Sequence, residues 1–116
     1  MTWPKPSTEK TTLLESELKR WAATRRSMFG SIAYFTNGNM FAGVFGDSLF
    51  MRLSEADWAR LRAEHPEAKP FEPVKGRMMR EYATVPQGLL DDLPALRIWL
   101  RRAFDYANSI NPNKKN

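Results

Sequence analysis

Leu14, Leu18 and Trp21 recur at i, i+4 and i+7 in an otherwise polar stretch, and this spacing predicts an amphipathic helix over about residues 12–25. Thr12 and Glu15 stand in capping-box spacing at its start. From Ser27 to Leu53 the period shortens: aromatic, β-branched and glycine residues dominate, and Asn37-Gly38 and Gly46-Asp47 supply the positive φ angles of two-residue hairpin turns. Residues 27–53 therefore predict a three-stranded antiparallel meander. Ser54 follows as an N-cap, with Glu55 and Asp57 in the first turn of a helix over 55–64. Pro66, Pro70 and Pro73 stop that helix from running on; "FEPV" reads as a short or edge strand, and "RMMREYATV", after the Lys75-Gly76 break, as a full one. Pro94 opens the last helix, in which Leu96, Trp99, Leu100, Ala103, Phe104 and Ala107 share one arc and Arg97, Arg101, Arg102 and Asp105 lie opposite. The polar ends, 1–9 and 109–116, have no pattern to bury and are expected to be flexible.

Two-residue turns fix which residues share a face, because directly opposed residues in neighbouring strands point the same way. One face of the meander then carries Phe29, Ser31, Ala33, Phe35, Met40, Ala42, Val44, Leu49, Met51 and Leu53, and is expected to pack on the helices. The other carries Met28, Gly30, Ile32, Tyr34, Phe41, Gly43, Phe45, Phe50 and Arg52. A sheet with helices on one side only usually turns polar residues outward, yet this second face has a single charge. It needs a cover: a helix, a tail or a second subunit. Met28, Ile32, Tyr34, Phe41, Phe45, Phe50 and Arg52 are accordingly the candidate interaction surface. The same side chains allow another reading, in which Tyr34, Phe41 and Phe50 form an aromatic platform for bases and Arg52 holds a phosphate.

At 116 residues and 42% apolar content the chain fits a single domain spanning 1–116. The absence of cysteine removes disulfides, thiolate catalysis and sulfur-ligated zinc. His65 stands alone, at the end of the second predicted helix, and has no partner histidine for a metal site. Asp91 and Asp92 are adjacent and read as helix-start charges rather than an acid pair. Gly43 and Gly46 have the GxxG spacing of a nucleic-acid clamp, but that clamp joins two helices whereas this pair lies in a hairpin. No phosphate-binding glycine loop is present. These readings point away from an enzyme and give no cofactor. With no apolar leader and no run of about 18 apolar residues, a soluble cytoplasmic protein with no membrane partner is expected. The net charge of +5 is scattered, and its clusters are Arg25/Arg26, Lys75/Arg77/Arg80 and Arg97/Arg101/Arg102. Arg25, Arg26, Lys75, Arg77 and Arg80 make the candidate basic patch, the electrostatic requirement for binding a polyanion.

The segment "RRSMFGSIAYFTNGNMFAGVFGDSLFMRLSE" at 25–55, the run from Tyr82 to Pro86 and the helix from Trp99 to Ala107 resemble the N-terminal domain of the TfoX/Sxy family of bacterial competence regulators, over about residues 20–107. The family's Met-Phe-Gly-Gly hallmark has Ser31 in place of its second glycine, and Arg52 stands where the family tends to place a lysine. The resemblance implies an α+β two-layer sandwich of order α-β(3)-α-β(2)-α with an antiparallel sheet, similar to secretion chaperones, and often a dimer. It also implies a non-enzymatic regulatory or adaptor module that works by protein contact, as a homodimer or with the transcription machinery. A nucleic-acid-binding module using the basic and aromatic sheet face is the alternative. The family's C-terminal domain has no counterpart in this sequence.

Overall fold

Asn37 and Gly38 both lie at positive φ, 51° and 76°, the pair a type I′ turn requires, and they join β2 (Ser31–Thr36) to β3 (Asn39–Phe45). Gly46, at φ 56°, opens the next two-residue turn, into β4 (Ser48–Arg52). Both hairpins follow the sequence expectation. The computed structural model describes residues 4–28 and 30–112. Its remaining elements are α1 (Thr8–Leu18), β1 (Thr24–Met28), α2 (Glu55–Glu64), β5 (Lys69–Val74), β6 (Arg77–Thr84), α3 (Gln87–Leu90) and α4 (Leu93–Ser109). The strands form one antiparallel sheet of order β1-β2-β3-β4-β6-β5, with helices packed on one face. This is the two-layer α+β architecture expected from the sequence.

The first helix differs from expectation at both ends. Ser7, not Thr12, caps it, accepting a hydrogen bond from the Lys10 N–H at 3.2 Å. It ends at Leu18, and residues 24 and 25, expected in it, belong instead to β1, an edge strand on β2. Trp21 keeps its place in the apolar set without being helical: the chain turns, its N–H bonds to the Leu18 carbonyl, and its ring packs parallel to Phe41 at 6.4 Å. The meander thus gains a fourth strand at its N-terminal side, and the short helix α3 is also additional to the expected order.

A second correction concerns the faces. β2 and β3 pair as Thr36↔Asn39 and Phe35↔Met40, but then as Tyr34↔Ala42 and Ala33↔Gly43. Phe41 is a bulge, one residue without a partner, and beyond it the alternation of β2 relative to β3 is reversed. Ile32, Tyr34 and Phe41, expected on the outer face, are instead buried in the helix-side core with Ala42, Val44, Leu49, Met51 and Leu53. Ser31, Ala33, Phe35 and Met40, expected in that core, move to the other face. Phe29, also expected in the core, lies outside the described residues. The cause is aromatic packing: the Phe41 ring meets Trp21 and, edge-on at 5.3 Å, Phe104 of α4. Three large rings joined this way offset the lost ladder pairing.

α4 closes the helical layer as its periodicity requires, with Leu96, Trp99, Leu100, Ala103, Phe104 and Ala107 all buried. Asp92 caps its start, accepting from the Ala95 N–H at 3.3 Å, which bears out the reading of that aspartate. Its end is capped from the sheet: the buried Asn39 amide donates to the Ala107 carbonyl at 2.9 Å, and Asn37 donates to that of Ile110 at 2.9 Å. Carbonyls left open at a helix end are thereby satisfied. The expectation of loose ends falls partly on residues 1–3 and 113–116, which lie outside the described residues; next to them, the Ser7 N–H donates to the Gly46 carbonyl at 2.8 Å. Among the described residues no helix is long and apolar enough to cross a membrane.

Candidate functional site

The sheet face turned away from the helices carries Met28, Ala33, Met40, Phe45 and Phe50. Gly43 sits among them for a steric reason: a Cβ there would stand 2.5 Å from Cζ of Phe50 and 2.9 Å from the Ile32 carbonyl oxygen. The missing side chain lets the Phe50 ring lie against the strand. Phe71 of β5 stacks on that ring, centroids 4.4 Å apart, and meets Phe45 edge-on at 5.9 Å.

Phe71 can reach Phe50 only because the β5–β6 hairpin leaves the plane of the sheet, since β6 lies between their strands. Of β6, only residues 82–84 pair with β4, and β5 shifts register at Pro70/Phe71 and again between Phe71 and Val74. Such irregularities bend a hairpin. Its root is fixed where the Leu53 N–H donates to the Glu81 carbonyl and the Trp58 indole of α2 to that of Arg80, both at 2.8 Å. Beyond the root, Phe71, Pro73, Val74, Arg77, Met78 and Met79 face Met28, Ala33, Met40, Phe45 and Phe50 across a groove of about 730 Å³. Among the described residues four methionines line it, and Val74 and Met78 at its mouth are half exposed. The volume falls in the range of ligand sites, and unbranched thioether side chains adapt to whatever shape enters.

The charges around the groove are of one sign. Arg77 and Arg80 line it, Lys75 sits at the hairpin tip, and none of the three forms an ion pair among the described residues. The neighbouring carboxylate, Glu72, is engaged: its Oε2 accepts the Gly76 N–H at 2.6 Å and holds a turn in which Gly76 has φ 87°. At the end of the sheet Arg52 binds Glu81 through Nε and Nη2, at 3.0 and 2.8 Å, and lies over the rings of Tyr82 and Tyr106. The Tyr82 hydroxyl donates to the Met40 carbonyl at 3.0 Å. Burial raises the pKa of Tyr82 above its ordinary value, and the nearby Arg52 guanidinium only partly opposes this. Tyr34 is raised likewise, first by burial and then by Glu15. Both hydroxyls stay protonated well beyond neutral pH.

Of the surface expected from sequence, Met28, Phe45 and Phe50 come together in the groove, Ile32 belongs to the helix-side core and also borders the groove, Arg52 is held in an ion pair with Glu81, and Tyr34 and Phe41 belong to the opposite layer. The aromatic platform for bases is therefore not assembled, since Tyr34 and Phe41 face the helices. The basic patch divides too. Lys75, Arg77 and Arg80 share the hairpin; Arg25 turns toward α1 to bind Glu15 at 2.7 Å; Arg26, on the groove side of β1, covers the Phe35 ring at 4.9 Å. Sequence reasoning missed Ala33, Met40, Phe71, Met78 and Met79. Their signal was the pair Met78-Met79 beside "FEPV", read only as strands.

The family model of the TfoX N-terminal domain matches residues 16–107. A comparison with curated proteins gives no match.

Proposed function

The chain belongs to the TfoX N-terminal domain family, and we propose from that premise that it is a non-enzymatic regulatory domain, of the kind found in competence regulators, that acts by protein contact through the groove beneath the β5–β6 hairpin. The observation that carries the reading is the groove itself: a methionine- and phenylalanine-lined surface left open in a chain whose other sheet face is fully covered. Open apolar surface of this kind is costly in water and marks a contact site in soluble proteins. The partner is another protein or a second copy of the chain, in the cytoplasm. A nucleic-acid module is disfavoured, because two of its three stacking residues, Tyr34 and Phe41, lie under the helices and Arg52 is already neutralised by Glu81.

The test is photocrosslinking in cells, with a photoreactive phenylalanine placed at Met78 in the groove mouth or at Ile98, an equally exposed position on α4. Protein adducts from position 78 that disappear with Met40→Glu, and few from position 98, are expected. Adducts from position 98 alone would overturn the reading. Transcripts of DNA-uptake genes, compared with and without the chain, report the regulatory part separately.

A further inference from the structure

We propose, resting on the protein-contact reading above, that the partner presents an acidic amphipathic helix whose apolar side enters the methionine groove and whose carboxylates meet Lys75, Arg77 and Arg80. Three observations select this occupant. The first is charge. "KGRMMR" at 75–80 puts three cations and no anion on one bank, no carboxylate lines the groove among the described residues, and the neighbouring acid, Glu72, is committed to the hairpin turn. Arg26, on the same side of the sheet and without an ion pair among the described residues, adds a fourth cation. The remaining arginines of the sheet, Arg25 and Arg52, are neutralised by Glu15 and Glu81. Uncompensated cations beside an apolar groove repel one another and favour a negatively charged partner, which also docks faster.

The second observation is the edge of the arm that carries these cations. An extended peptide binds by adding to a strand edge, which must offer alternate N–H and C=O groups. The edge strand of the arm, β5, contains Pro70 and Pro73, which have no N–H to give. A helix needs no such edge, since its backbone is bonded internally, and it presents apolar side chains at i, i+3, i+4 and i+7 to a groove. The third is the lining. Met28, Met40, Met78 and Met79 rearrange around side chains of differing shape, the property of surfaces that accept helical targets.

The proposal is tested by selecting a random-sequence peptide display library, about 16 residues long, on the full chain. The enriched sequences are synthesised and measured by fluorescence anisotropy. Peptides with apolar residues at helical spacing and a net negative charge are expected, helical by circular dichroism when bound. The double variant Arg77→Glu/Arg80→Glu, which alters exposed side chains, should keep the wild-type melting temperature and weaken these peptides about tenfold. Their affinity should also fall with added salt. Enrichment of basic or proline-rich peptides that Met40→Glu still abolishes would overturn the acidic helix while leaving the groove as the contact site. Peptides indifferent to Met40→Glu, or no enrichment together with a melting temperature raised by oleate, would overturn both, the latter in favour of a lipid-like occupant.

Discussion

Gly43 shows how one atom's absence shapes the candidate site. Its φ is ordinary, so its value is the space it leaves for the Phe50 ring. Gly43→Ala puts a methyl group 2.5 Å from Phe50 Cζ and 2.9 Å from the Ile32 carbonyl oxygen; the ring can swing away but the carbonyl cannot. The variant is expected to lose about 1–3 kcal/mol in urea denaturation, the usual cost of overpacking, and to break the Phe50–Phe71 stack. Gly76→Ala is the contrast. Nothing lies within 4 Å of its Cβ position, so only the strain at φ 87° counts, and a loss of about 1 kcal/mol is expected. A Gly43→Ala variant as stable as the wild type would mean that Gly43 serves no packing purpose. The same contrast explains what could be read at this scale. Asn37-Gly38 announces its turn because the conformation is dictated by two adjacent residues. The bulge at Phe41 is silent, because it exists to satisfy Trp21 and Phe104, twenty residues before it and sixty-three after.

Among the elements, α4 is the one most completely written into its own sequence: six apolar positions on one arc, an aspartate cap and a proline in the first turn. α1 and β1 were not legible in the same way. Trp21 extends the i, i+4, i+7 series of Leu14 and Leu18 by coincidence of tertiary packing, and "TRRSM" lacks alternation because an edge strand is wetted on more than one side. The β5–β6 hairpin was legible as two strands but not as an arm, since its bend depends on Phe71 finding Phe50 across an intervening strand. α4 also supplies a prediction with two unequal halves. Leu100→Asp buries a carboxylate in a fully enclosed site and should unfold the domain or destabilise it by several kcal/mol. Arg101→Asp is expected to cost about 0.5–1 kcal/mol rather than nothing, because the guanidinium lies over Phe104 at 4.8 Å and Trp21 at 5.4 Å, sealing the ring cluster that holds the bulge. Thermal melts followed by circular dichroism give the order. A silent Arg101→Asp would show that the rings need no cover.

At the scale of the whole molecule, each side of the sheet is held by a tyrosine whose neutral form the fold prefers. Tyr34 lies in the helical layer and Tyr82 spans from β6 to the Met40 carbonyl beside the groove, and burial raises both pKa values above the ordinary one near 10. The sign of the consequence follows from proton binding. Above about pH 10 the unfolded chain releases both phenolic protons while the folded chain still holds them, so the folded state binds more protons and stability falls as pH rises. Below that pH the contribution is complete; it is lost as pH climbs through the folded values. Urea denaturation at pH 8 and pH 10.5 should therefore show a lower midpoint at the higher pH. Tyr82→Phe lowers the pH 8 value, because the Met40 carbonyl loses its donor, and shrinks the difference between the two pH values, because one of the two titrating phenols is gone. A wild type whose midpoint does not move between these pH values would mean that the two hydroxyls are as free to ionise in the folded chain as in water.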